Sequence, residues 1–153
     1  NAAALGPDNF MSNRIEFGGK NLENGKFANE NFENANFSVA NLKGVDFSGA
    51  NLKGVDFSGA DLSDANLSGA DLSGAVLSNA VLKHTNFSGA VLNGVVLTDA
   101  DLDNAILLDI TIDAIALEDL QELVEYLAKY APHKLNLAKM NLPDGVSLPE
   151  ESS

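Results

Sequence analysis

The sequence predicts an all-β solenoid, a stack of short coils closed at its C-terminal end by an α-helical cap. Three observations predict it. A Leu or Phe recurs every five residues without a break from Phe17 to Leu107, nineteen registers in all. A second series of small residues, mostly Ala with some Val and one Thr, runs two positions earlier from Ala35 to Ala105. The position between the two series usually holds Asn or Asp, and the two positions after the large residue are mostly Ser then Gly, as in Ser48-Gly49 and Ser68-Gly69.

A period of five suits neither a helix, which would repeat its apolar face every 3.6 residues, nor a flat strand, which would alternate every two. It suits one short side and one corner of a coil. The small residue and the Leu or Phe stand at i−2 and i and point the same way, as alternate strand residues do. Ser, Gly, Asn and Asp supply the corner because they tolerate turn dihedrals and bond locally to the backbone. One such unit cannot bury two apolar side chains alone. Stacked coils can, and hydrogen bonds between coils satisfy the peptide groups.

The repeats ANLKG (50–54), ADLSD (60–64), ANLSG (65–69), ADLSG (70–74) and ADLDN (100–104) resemble those of the pentapeptide-repeat family, over residues 15–109. The resemblance implies a right-handed quadrilateral β-helix with about four repeats per coil. Residues twenty apart should then stack in four interior columns. One holds Phe17, Phe37, Phe57, Leu77 and Leu97; a second Leu22, Leu42, Leu62, Leu82 and Leu102. The third holds Phe27, Phe47, Leu67, Phe87 and Leu107, and the fourth Phe32, Leu52, Leu72, Leu92 and Ile112. Aromatic residues gather toward the N-terminal coils. At about 4.8 Å per coil the rod would be roughly 23 Å long before its caps.

The expected organisation is an N-terminal extension or cap over 1–14, the β-helix over 15–112, a helical cap with a partial coil over 113–142, and a flexible tail over 143–153. A solenoid end is an exposed sheet edge and needs a cover. Leu117, Leu120, Leu123, Val124 and Leu127 fall at helical spacing. Glu118 and Asp119 stand in the first turn and Lys129 in the last, which suits the helix dipole, and Pro132 stops the helix. Leu137 and Leu142 resume the five-residue phase. Phe10 and Met11 read as packing of the N-terminal cap.

Composition narrows the function. There is no cysteine, which excludes disulfides, Cys-type zinc sites and thiol catalysis. The longest apolar run is four residues, so no membrane insertion is expected. Twenty-two acids against nine bases give a net charge of −13, which opposes direct binding to a phosphate backbone. Lys43 and Lys53 are ten apart and fall on opposite faces, so they form no basic patch. His84 and His133 are the two histidines, and His84 stands at a corner where a polar filler suffices. No serine lies in a nucleophile elbow, and no Gly-rich phosphate loop or acidic calcium loop is present. An unbroken register leaves no loop to shape a cleft. No catalytic residue, metal ligand or cofactor site is therefore assigned.

Two features suit docking. Val76, Val81, Val91, Val96 and Ile106 occupy the outward position that elsewhere holds Asn or Asp, and form a candidate partner-docking strip. Val76 and Val96, twenty apart, should stack. Between Lys83 and Lys129 there is no Lys or Arg, and Asp99, Asp101, Asp103, Asp109 and Asp113 form a candidate acidic surface for a basic partner. The expected role is a non-enzymatic rod that docks another protein of unknown identity, with self-association as a further option. The NLKGVDFSGA doublet (41–60), the acidic balance and the single C-terminal helix are similar to the plant thylakoid-lumen members of the family, which implies the chloroplast thylakoid lumen after removal of a transit peptide. The alternative comes from bacterial members that act as duplex-DNA mimics and bind DNA gyrase.

Overall fold

The computed structural model describes residues 14–112 and Gln121, which is helical and exposed. All but Arg14 of the expected N-terminal extension or cap over 1–14, the rest of the C-terminal cap and the tail lie outside the described residues. Within 14–112 every repeat is a three-residue wall followed by a two-residue corner. Sixteen parallel bridges, from Glu16↔Asn36 to Val91↔Thr111, all join residues twenty apart. Four corners in twenty residues make a four-sided coil. We number the coils 1 (15–34), 2 (35–54), 3 (55–74), 4 (75–94) and 5 (95–112).

The N–H groups of one repeat show why the coil closes. The Leu62 N–H donates to Val81 O on the next coil at 2.8 Å, and the Asp64 N–H to Lys83 O at 2.9 Å. The Ala65 N–H closes the corner onto Leu62 O at 3.0 Å, and the Asn66 N–H returns to Val45 O on the preceding coil at 2.9 Å. The fifth, on Ser63, donates to its own repeat's Asp61 Oδ1 at 3.0 Å. All five donors are satisfied, four by backbone and one by a side chain.

The corner is a type II turn, whose second central residue must adopt positive φ. That position is left-handed at all nineteen registers from Gly19 to Asp109, with φ between 56° and 72°. Nine are glycine; the others are five Asn, three Asp, His84 (φ 58°) and Val39 (φ 58°). The corner at His84 is therefore more selective than polarity alone requires. It favours residues that tolerate the left-handed region.

The interior is as the columns predict. The large residues from Phe37 to Ile112 are buried, and Phe17, Leu22 and Phe27 pack partly buried at the N-terminal end. Phe17, Phe37 and Phe57 stack at 5.3 and 5.6 Å between ring centroids, and Phe27 stacks on Phe47 at 5.5 Å. Phe32 meets Phe27, Phe37 and Phe47 edge-on. Offset and edge-on pairs add attraction beyond area burial. Gly25 stands where other repeats place a small side chain, because the Phe27 ring fills that space and a Cβ there would collide with it. Thr85 is the one buried polar side chain among the described residues, and its hydroxyl donates to Leu62 O at 2.7 Å.

Candidate docking surfaces

The outward position of each wall decides what the rod shows to its surroundings. The first wall presents Glu16, Asn36, Asp56, Val76 and Val96 in successive coils. The second presents Asn21, Asn41, Asp61, Val81 and Asp101, and the third Lys26, Asp46, Asn66, Asn86 and Ile106. The fourth presents Asn31, Asn51, Asp71, Val91 and Thr111. Amides thus dominate coils 1 and 2, carboxylates coil 3 and aliphatic groups coils 4 and 5.

Asn and Asp are used there for a local reason. Their side-chain oxygen accepts the N–H of the first corner residue, as in Asp46 with Ser48 at 2.9 Å, Asn66 with Ser68 at 2.9 Å and Asp71 with Ser73 at 3.0 Å. A corner serine adds its hydroxyl to the same oxygen at 2.6 Å in Ser58, Ser63, Ser68 and Ser73. Amides also link coils: Asn41 Nδ2 donates to Asn21 Oδ1 and Glu23 Oε1, and Asn51 Nδ2 to Asn31 Oδ1 and Glu33 Oε1. With both amide hydrogens engaged, these asparagines are internal fastenings rather than ligand contacts.

The carboxylates behave accordingly. The Ser48 hydroxyl, helped by the Ser48 N–H and Lys26, holds Asp46 below the usual carboxylate range. At Asp61, partial burial pushes the carboxyl up, but bonds from Ser63 and the charge of Lys43 together outweigh it and the net shift is downward. Glu16 is lowered by Asn36 and Arg14. Lys43, Lys53 and Lys83 stand 3.7, 3.8 and 3.7 Å from Asp61, Asp71 and Asp101, half-exposed pairs worth little individually.

The candidate valine strip divides. A step of five residues moves a side chain to the next wall, and only a step of twenty returns it. Val76 and Val96 pair directly on the first wall, as expected. Val81 lies on the second wall, Ile106 on the third and Val91 on the fourth, so the five residues do not form one strip. Val91 and Val96 do flank a single corner, Asn93-Gly94, whose second residue has no side chain. All five are half-buried.

The acidic candidates also separate. Asp99, Asp101 and Asp103 surround the second wall at coil 5, whereas Asp109 sits at the corner after the third wall. Asp113 lies outside the described residues. Among the described residues no column stacks two acids on successive coils. No group of three or more potential metal ligands occurs among the described residues, and no described helix is long and apolar enough to cross a membrane.

Three features escaped the sequence reading. An apolar outward residue offers no acceptor, so the N–H groups of Ser78, Lys83, Asn93, Thr98 and Leu108 lose the side-chain bond that their counterparts make. The signal was present, since Asn or Asp precedes the corner by two residues wherever that bond forms. Asn93 Oδ1 is buried without a hydrogen-bond partner among the described residues. Val39 is 70% exposed at a left-handed corner, with Gly59 beside its Cγ2.

Comparison with known proteins agrees with this architecture. The family model for pentapeptide repeats matches in eight copies over residues 21–54, 40–79 and 70–107. A crystal structure of a pentapeptide repeat protein from the Arabidopsis thaliana thylakoid lumen shares 27% identity, with a TM-score of 0.53 over 86% of this chain and 87% of that one. A pentapeptide repeat protein from the cyanobacterium Cyanothece 51142 shares 25% identity, with a TM-score of 0.43 over 71% and 95%. A trypsin-treated form of QnrB1, a plasmid-mediated fluoroquinolone resistance protein, shares 24% identity, with a TM-score of 0.30 over 67% and 72%. Comparison with curated proteins yields no match.

Proposed function

Because the chain belongs to the pentapeptide repeat family, we propose that it is a non-enzymatic interaction module, a rigid acidic rod of right-handed winding that docks another protein in the thylakoid lumen. The observation that carries the reading is the change of exterior at coil 4. The backbone pairing and the buried inward pair persist, with leucine largely replacing phenylalanine inside, while the outward position changes from mainly Asn and Asp to mainly Val. On a solvated wall that change forfeits the corner cap for strand propensity alone, whereas a docking wall also gains apolar contact. A preorganised surface also loses little conformational entropy on binding. The lumen is supported by the Arabidopsis structure, which matches over most of both chains. A duplex-DNA mimic would draw on the net charge of −13, but it needs acids stacked coil upon coil, and here the acids in one column are separated by other residues.

The test is capture from thylakoid lumen extract with the wild-type chain and with Val76→Asp/Val96→Asp, followed by reconstitution from purified components. One protein should be retained by the wild type, lost by the variant, and form a defined complex when purified. Identical retention by both would contradict docking through the first wall. Absence of any complex on reconstitution would contradict the module itself.

A further inference from the structure

We propose that the first wall of coils 4 and 5, with the adjoining Asn93-Gly94 corner, binds an extended polypeptide segment of basic and apolar composition; this rests on the interaction-module reading above. In the capped repeats the acceptor is an outward side chain, so the first-corner N–H faces outward on the same wall. Where the outward residue is valine the donor keeps that direction without a partner among the described residues. The Ser78 and Thr98 N–H groups lie on successive coils beside Val76 and Val96, and the Val76↔Val96 bridge fixes their stacking. Neither meets an acceptor among the described residues. Around the corner, the Asn93 N–H follows Val91 in the same relation. Gly74 and Gly94 (φ 72° and 68°) present bare backbone between the two walls, so a partner can approach closely.

The partner's chemistry follows from this arrangement. Valines beside outward donors call for apolar side chains alternating with carbonyl oxygens. An extended segment offers both, whereas a helix consumes its carbonyls internally. A free anion would suit the donors but not the surroundings. Asp56 lies directly beneath Val76, and Asp99 follows Thr98 at the corner. Neither has an ion-pair partner among the described residues, so they favour Lys or Arg on the segment.

The experiment uses the full isotope-labelled chain titrated with an alternating lysine–valine peptide of about eight residues, the length of an ordinary strand, and with the matched glutamate–valine peptide. The lysine peptide should move the amide resonances of Ser78, Asn93 and Thr98 and the methyl resonances of Val76, Val91 and Val96, with affinity falling as salt rises. The glutamate peptide should not. Val76→Asn/Val96→Asn restores an acceptor to each repeat without touching the interior. It should stay folded and bind the lysine peptide at least about tenfold more weakly. Equal binding by that variant, or shifts confined to other walls, would overturn the assignment. If the peptides fail while capture of a lumen protein still depends on Val76 and Val96, the partner chemistry is wrong and the module reading survives.

Discussion

Coils 1–3 and coils 4–5 share one backbone and differ on both sides of it. The earlier coils hold six of the seven repeat phenylalanines inside and Asn or Asp at most outward positions, while the later ones hold mainly leucine inside and mainly valine or isoleucine outside. Pairing at twenty residues and left-handed corners persist through both. The winding is therefore set by the inward pair and the corner. The outward position is left to serve either corner capping or contact with a partner, and the two regions have taken different choices.

The largest expected effect breaks both regions alike. Leu62→Asp places an unpaired carboxylate in a fully buried column and should destabilise by several kcal/mol, on the order of what separates folded from unfolded. Denaturant unfolding checks it, and tolerance would dismiss the interior assignment. Paired truncations sharpen the comparison. Phe37→Ala removes a ring from the aromatic stack and should cost about 3–5 kcal/mol, while Leu77→Ala in the same column should cost about 2–5 and fall toward the lower end. Equal losses would mean that the aromatic stack adds nothing beyond volume.

Val39→Gly should act in the opposite direction. It releases a β-branched residue from the left-handed region and gives up little buried surface, so it should stabilise by about 1 kcal/mol, read as a raised midpoint. A lower midpoint would show that Val39 supports the corner it occupies.

Acid should act on the earlier coils first. Asp46 and Asp61 have folded-state pKa values below the ordinary aspartate value. Their contribution is thus fully present above the unfolded value and is lost as pH falls through it toward the folded one. Asp46→Asn/Asp61→Asn keeps both acceptors and should flatten the fall in stability below about pH 5. An unchanged acid limb would place the sensitivity elsewhere. Ser63→Ala loses one hydroxyl bond at 2.6 Å from a half-exposed corner and should change stability least, by about 1 kcal/mol or less.

Most of the fold was legible because the sequence repeats it. The inward series through Phe37 and Leu62 follows from the five-residue spacing, while its division into four columns and the stacking of Val76 on Val96 follow from the twenty-residue coil that the family resemblance implies. Val81, Val91 and Ile106 do not join them, because each corner turns the chain to a new wall, the same rule that separates Lys43 from Lys53. The roles of Asn66 and Asp71 as corner acceptors depend on where an N–H points, which spacing does not convey. The strain at Val39 was hidden because nothing in the pattern distinguishes a turn that merely tolerates glycine from one whose φ is positive at every register.

Hydrogen exchange at the first corner residues tests the division most directly. Ser48, Ser58, Ser63, Ser68 and Ser73 have a side-chain acceptor, whereas Ser78, Lys83, Asn93 and Thr98 face valine. Ser88, capped by Asn86 at 2.9 Å, provides a control within coil 4 itself. The expected result is slow exchange at the capped serines, Ser88 included, and fast exchange at Ser78, Lys83, Asn93 and Thr98. Exchange at Ser78 as slow as at Ser88 would contradict the claim that the valine walls carry unclaimed donors.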